Sequence, residues 1–536
     1  MREGLTAVDW TVVGVYLVGT ILVGLCATGA QRSVRDYFLG DRSLPWWAVA
    51  LSLIATETSA ATYIGTPGKA YRSGWEFLQM ALGFALARLF LARYVLKVYY
   101  RAEVVTVYGF LEQRFGEATR VVAALLFLLG RVIGSGVRLY AACLALRAAA
   151  GSTGDGATIA AIVVLGLVAL SYTFFGGIKS VVWTETILGA TFIAGGLVAV
   201  VAILARIHSE VPGGWDAAWA LPELSEKLAI FHFDGPGEGG WAAWLGSTRP
   251  FWIALGGGFV LSLATHGTDQ DMVQRLLACP DWRKGGRSLI ASALVIVPLN
   301  AIFLLVGTLL FVYHRLRPEA APAGVTNADD HFLLFTARAM PAGVAGFVIA
   351  GLVAAAVSSH TSVLNALSST AIADFYRPHF AKGKSEAHYL RASRGFTLFW
   401  GVTLILVAMG FVGSRDNVLD LALGVLTYFY GSLLGVFLLG IFTKRGNGFS
   451  ATAGMLIAVP LVLLLQYRQF LARPESAPAL VRNLIGALPP ALNDAAMTWV
   501  PGLAWPLWIV VGTAVTLGVG ALGRPRQTTE RGSVEP

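Results

Sequence analysis

Four hydroxyl side chains, Ser358, Ser359, Thr361 and Ser362, fall within five consecutive positions of an otherwise apolar run from Ala354 to Asn365. On a helix, Ser358, Thr361 and Ser362 share a face by the i, i+3, i+4 rule, and Ser359 lies about 100° round from Ser358. A small hard cation without transition-metal chemistry takes neutral and anionic oxygens. Hydroxyls supply these without the burial of several carboxylates. The alternative use of such residues is to bond back to their own helix or to hold neighbouring helices together. A cluster of four, in a chain with two interrupted helices, favours the cation.

Those interruptions lie elsewhere. From Leu53 to Gly68 an apolar run takes in Glu57, Thr56, Thr58, Ser59 and Thr62, and then Gly65, Pro67 and Gly68. From Ala264 to Asp271 a second run carries His266, Gly267, Asp269 and Asp271. Unwound backbone frees carbonyls and amides that lipid cannot satisfy, so each break must line a space enclosed by protein. Each opens a block of five apolar runs, 45–205 and 249–441. Two broken helices in matching positions of two halves are the pattern of an inverted-repeat transporter with its site near mid-membrane. The halves have no detectable identity, so the repeat rests on hydropathy.

The elements that carry these residues follow from composition. Charged residues make up 13% of the 536 and mean hydropathy is +0.66, against about 25% charged in soluble domains. Apolar runs of roughly 20 residues recur, the length that crosses a ~30 Å hydrocarbon core. Thirteen spans are predicted near 8–27, 45–65, 74–97, 119–148, 157–174, 180–205, 249–273, 286–313, 341–372, 392–412, 417–441, 449–467 and 503–522. The first is read as a retained helix, because Asp9 and Trp10 interrupt the N-terminal region and no cleavage site follows. The chain then divides into 1–44 (first helix and cytoplasmic loop), 45–206 (first repeat), 207–248 (extracellular loop), 249–442 (second repeat), 443–522 (two further helices) and 523–536 (cytoplasmic tail). The connections 207–248 and 468–502, rich in Pro, Gly and Trp, have room for short surface helices.

Lys and Arg outnumber Asp and Glu, 40 to 31, but they punctuate the loops of one side and form no single face, so nucleic acid is not expected. The richer side includes Arg32, Arg35, Arg42, Lys97, Arg101, Arg114, Arg120, Arg275, Arg283, Lys284 and Arg287. By the positive-inside rule that side is cytoplasmic, with the N-terminus outside and the C-terminus inside a plasma membrane. Cys26, Cys143 and Cys279 have neither metal nor disulfide spacing.

Several motifs are spread along the chain: Asp36-Tyr37-Phe38-Leu39-Gly40 with Ser43-Leu44-Pro45, Gly176-Gly177-Ile178-Lys179-Ser180 through Glu185, Asp269-Gln270 with Val273-Gln274-Arg275, Ser358-Ser359, and Asn365 through Asp374-Phe375-Tyr376. In this order and spacing they resemble the sodium/solute symporter family over nearly the whole chain. The resemblance implies an all-α, LeuT-like core of five plus five helices. It also implies a sodium site from the carbonyls of Ala55, Thr58 and Ala355 and the hydroxyls of Ser358 and Ser359. A second sodium in some members implies Thr361, Ser362 and the acid at 185, commonly Asp and here Glu185. Sodium would be transported cargo, not a prosthetic group, and the partners are a small solute, Na+ and the bilayer.

Charged residues inside spans are functional candidates by default. Glu57 either sets the field for a cation or caps freed amides. Arg131 and Arg138, seven apart, return to nearly one helix face. They are placed to hold a solute carboxylate or to pair with Glu57, Glu185 or Asp269. Arg88 is expected to snorkel, and His266 and His360 are read as packing residues. Asp269 and Gln270 match a motif along the substrate path, with tying down the broken span as their other role. Met80 and Ala81 stand where sugar-binding members place a polar, acidic pair, and Thr62 where they place an amide. An organic anion is therefore slightly preferred over a sugar. No metalloprotease motif, nucleophile elbow or phosphate loop occurs, and Gly256–Gly258 read as packing, so an enzyme is not expected. The alternatives are a sodium-independent uniporter, or a membrane sensor. Only 14 residues follow the last run, so a fused output module is not expected.

Overall fold

The computed structural model describes residues 4–524 apart from 30, 153, 323, 324, 326, 413–417, 473–482 and 484, and leaves the side chains of 61 and 418–426 undescribed. Every regular element among the described residues is helical. The chain opens with α1 (Ala7–Cys26) and the short α2 (Val34–Leu39). The first broken span is α3 (Trp46–Glu57) followed by α4 (Ala60–Arg72). Next come α5 (Phe77–Phe90), which runs through a widened turn into α6 (Leu96–Arg101), then α7 (Tyr108–Phe115), α8 (Glu117–Ala149) and α9 (Asp155–Glu210). The connection after α9 carries three surface helices, α10 (Gly214–Trp219), α11 (Glu223–Lys227) and α12 (Gly240–Leu245).

The second half begins with another broken span, α13 (Phe251–Thr268) and α14 (Gln270–Leu277). It continues with α15 (Trp282–Leu316), the short α16 (Ala328–Ala339), α17 (Val344–Thr370), α18 (Glu386–Met409) and α19 (Val418–Phe442). Last come α20 (Gly448–Ala472), α21 (Pro490–Trp499) and α22 (Trp505–Ala521).

The 56 residues of α9 at ~1.5 Å each would reach well beyond one bilayer core. Gly177 divides it into the fifth and sixth spans, with φ 55 and ψ −149, a region open essentially to glycine alone. A Cβ there would sit 2.3 Å from the Tyr37 carbonyl oxygen. The thirteen expected spans are therefore α1, α3/α4, α5, α8, both parts of α9, α13/α14, α15, α17, α18, α19, α20 and α22.

Local sequence places the ends. Thr6 and Asp9 form a capping box on α1, and the same buried Asp9 carboxylate accepts from the Gly343 and Gly346 amides (2.8 and 2.9 Å) at the start of α17. Asp281, Asn327 and Ser385 cap α15, α16 and α18, satisfying amides that have no intrahelical partner.

Lipid tails give helices no hydrophobic reason to associate, so close packing at small residues and interhelical hydrogen bonds must do it. α5 and α13 meet at Gly83 and Gly258, where a Cβ would lie 2.2 Å from the Leu255 and Met80 carbonyl oxygens respectively. At the centre is α17, 94% of whose apolar window is buried, against 22% for α1. Tyr63 of α4 donates to the Val348 carbonyl of α17 (2.9 Å) and packs its ring on Phe192, Phe303 and Phe332. The hydroxyl cluster thus stands on the most enclosed helix.

Candidate functional site

α3 stops at Glu57 and α4 starts at Ala60, so the break falls at Thr58-Ser59. The Ile54 carbonyl accepts from the Thr58 amide (3.0 Å), but the later carbonyls of α3, Ala55 among them, lie in the helix end that lacks intrahelical donors. The Thr62 amide, which would continue the helix to Thr58, bonds the Ser59 carbonyl instead (2.9 Å). On α17 the Ser359 hydroxyl donates to the Ala355 carbonyl (3.0 Å), while the buried Ser358 hydroxyl has no partner among the described residues. Ser59 and Ser359 face one small niche together with Ser135, Arg138 and His360. The first break and the α17 hydroxyls are thereby in apposition.

A larger cavity of about 450 Å³ opens beside the niche. Glu57, Thr58, Thr62, Met80, Arg131 and Arg138 all line it. It runs along one face of α4 through Thr66, Lys69 and Arg72 towards Thr248, on the side of the 207–248 connection. Sequence reasoning passed over several of its polar lining residues, among them Lys69, Asn300 and Tyr430. Asn300 follows Pro298 in the middle of α15, a signal that could have found it; Tyr430 gave none.

The two arginines of α8 have different fates. Arg131 is 3% exposed and ion-paired with Asp269 (2.7 Å) and Asp271 (3.3 Å), and the Tyr430 hydroxyl donates to Asp269 (2.7 Å). Arg138 faces both the niche and the cavity, and its guanidinium makes no hydrogen bond or ion pair among the described residues.

Asp269 caps α14 through the Asp271 amide (2.9 Å) and does not line the cavity. Gln270 also lies outside it. Its side chain accepts from the Val107 amide (2.9 Å) and donates to the Val105 carbonyl (3.3 Å) and Ser369 hydroxyl (3.2 Å), fastening the segment before α7.

Two expectations for arginines are corrected. Arg88 does not snorkel: it is wholly buried and ion-paired with Glu57, because α5 packs tightly on α13 and a carboxylate at the break needs a countercharge. Arg275 is no loop cation. It is 1% exposed, with Nη2 2.9 Å and Nε 3.1 Å from the two Glu185 carboxylate oxygens and Nη1 2.8 Å from Asp271. The short α14 turns it inward, beneath α3 and α17.

Glu185 also accepts from the Ser52 hydroxyl. Ser362 donates to Asp271, and Thr361 to the Ser358 carbonyl (3.0 Å). Glu185 and Ser362 are therefore linked through Arg275 and Asp271.

Residues 37–458 match the model of the Sodium:solute symporter family. The chain belongs to that family. It is 30% identical over 462 residues to the sodium/sialic acid symporter SiaT of Proteus mirabilis, covering 86% of this chain and 90% of that one. It is 27% identical over 488 residues to the sodium-coupled monocarboxylate transporter 1 of Xenopus laevis, covering 89% and 75%. Among solved structures, a substrate-bound, outward-open Na+-coupled sialic acid symporter superposes with a TM-score of 0.80 at 25% identity, covering 96% of this chain and 97% of that one. Mhp1, a nucleobase-cation-symport-1 family transporter, shares the fold at 16% identity, with a TM-score of 0.51 and coverage of 90% and 92%. The symporter is thus a multi-pass membrane protein with the LeuT-like five-plus-five core, and sodium is its co-transported ion.

Proposed function

We propose that this symporter imports a small organic anion, held by Arg138 beside a sodium ion. The sodium is bound by the carbonyls of Ala55, Thr58 and Ala355 and the hydroxyls of Ser358 and Ser359. One observation carries the reading: Arg138 is a cation within a membrane span, open to the cavity and left unpaired. A charge at such depth costs about 2.5–3.5 kcal/mol on insertion scales, and every other arginine close to the break is neutralised by a carboxylate. A solute carboxylate would supply the missing partner. Two relatives named for sialic acid and for monocarboxylates support this class.

Sodium and solute would meet at one niche, since Arg138, Ser59 and Ser359 line it together. Both ligands then favour the closed state, and each raises the affinity of the other. The repeats 45–206 and 249–442 would rock about this point. With the N-terminus outside, the cavity faces outward, because it opens on the side of the 207–248 connection. A second sodium at Glu185, Thr361 and Ser362 would have to displace Arg275 from both Glu185 oxygens. One sodium per cycle is the simpler reading.

The test is solute-induced thermal stabilisation in nanodiscs with sodium or potassium, on the unsubstituted protein and on Arg138→Gln. Carboxylates should stabilise the former in sodium only, by mass action, and the variant should lose that response while still responding to sodium alone. A sugar that stabilises both proteins equally, with no carboxylate acting, would overturn the anion.

A further inference from the structure

The cavity holds a second polar pole, apart from Arg138. Glu57 leaves the end of α3 and is drawn by Arg88 to the wall made by α5 and α13. Arg138 projects from α8, which forms a different wall. Glu57 keeps a fifth of its side chain exposed and lines the cavity. His266, also in the lining, is 2% exposed, and its Nε2 lies 3.9 Å from the Glu57 carboxylate. Among the described residues that Nε2 has no hydrogen-bond partner, although buried polar atoms are nearly always bonded. The Thr265 hydroxyl sits 2.9 Å from Nδ1. When it donates there, Nε2 carries the proton and becomes a donor beside the Glu57 acceptor. The same cavity is lined by the apolar side chains of Met80, Phe84, Leu261, Leu299 and Phe303, alongside polar residues such as Thr62 and Asn300.

We propose that Glu57 and His266 form a donor–acceptor pole that selects amphipathic monocarboxylates whose far end is a neutral amide or ureido group. Such a group presents an N–H to Glu57 and a carbonyl to His266. An ammonium is disfavoured because Arg88 already balances Glu57, and a second carboxylate is repelled by Glu57. A bare alkyl end leaves both polar groups desolvated and unbonded, which is how a polar site rejects an isostere lacking the matching group. Arg88, behind this pair and out of the lining, is a positioning residue. The inference rests on the anion reading of Arg138.

The test uses four six-carbon probes: hexanoate, adipate, 6-aminohexanoate and the monoamide adipamate. The readout is sodium-dependent stabilisation in nanodiscs. Adipamate should act at a concentration at least tenfold below the other three. Glu57→Gln should bring adipate up at least tenfold relative to adipamate, since Arg88 then lacks its carboxylate; loss of fold alone would not reorder ligands. His266→Phe should drop adipamate to the level of hexanoate, and it carries the test should Glu57→Gln fail to fold. All four probes acting alike, or adipate or 6-aminohexanoate acting best on the unsubstituted protein, overturns the pole and leaves the anion reading standing. No carboxylate acting at all overturns both.

Discussion

Replacing Ser358 with alanine should separate sodium binding from stability. The Ser358 hydroxyl is buried and, among the described residues, unbonded, so in the sodium-free protein its removal gives up no hydrogen bond and relieves an unsatisfied polar group. That loss should cost nothing measurable. With sodium bound, the same oxygen would donate a lone pair to the cation. Hydrogen bonds to charged groups are worth about 1.5–3 kcal/mol, and a comparable loss here means sodium binding weaker by roughly 10- to 150-fold at ~1.4 kcal/mol per decade. Ser359→Ala makes the contrast. Its hydroxyl also donates to Ala355 at 3.0 Å, so it should weaken sodium similarly and also destabilise the sodium-free protein by about 1 kcal/mol. The assay is a sodium titration of thermal unfolding in nanodiscs, with potassium as the control. Ser358→Ala binding sodium within twofold of the unsubstituted protein would refute the site. A large destabilisation without sodium would refute the claim that this hydroxyl is structurally idle.

Other outcomes follow from the same geometry. Arg138→Gln should raise the half-saturating concentration of a transported carboxylate by about 10- to 150-fold, the worth of a charge-assisted bond, with sodium-only stabilisation unchanged; uptake kinetics in proteoliposomes check this. Arg275→Met leaves Glu185 unpaired and Asp271 short of a partner, and should destabilise by about 3–5 kcal/mol. Adding Glu185→Gln should recover part of it, a coupling read by a double-mutant cycle of thermal stability. Gly177→Ala should cost at least ~1–3 kcal/mol, from its glycine-only backbone region and the 2.3 Å approach to Tyr37. Yield and thermal stability of the purified variant measure it.

Much of the frame was legible in the residues. The breaks at Thr58-Ser59 and Asp269 lie within the two segments whose polar and glycine content marked them, and the hydroxyls of 358–362 stand on the most buried helix. Spacing also placed Arg131 and Arg138 on one face, but which of them pairs depends on Asp269, 138 positions further on than Arg131, and no local pattern reports that. Arg88 and Arg275 were misjudged for one reason. A hydropathy window treats an arginine near a span end as a loop cation, whereas each here meets a carboxylate delivered by a distant helix. Tyr430 and Asn300 enter the cavity from late spans in the same way. Elements follow from periodicity and length; the site follows from tertiary convergence.

The most direct test of sodium-coupled anion import is accumulation in proteoliposomes. Vesicles loaded with potassium are placed in sodium medium with a labelled monocarboxylate, the one that gives the largest sodium-dependent stabilisation. Uphill accumulation that collapses when the sodium gradient is dissipated, and is lost in Arg138→Gln, is the predicted result. Equilibration to equal concentrations inside and outside, independent of sodium, would contradict coupled import and mark this chain as a uniporter.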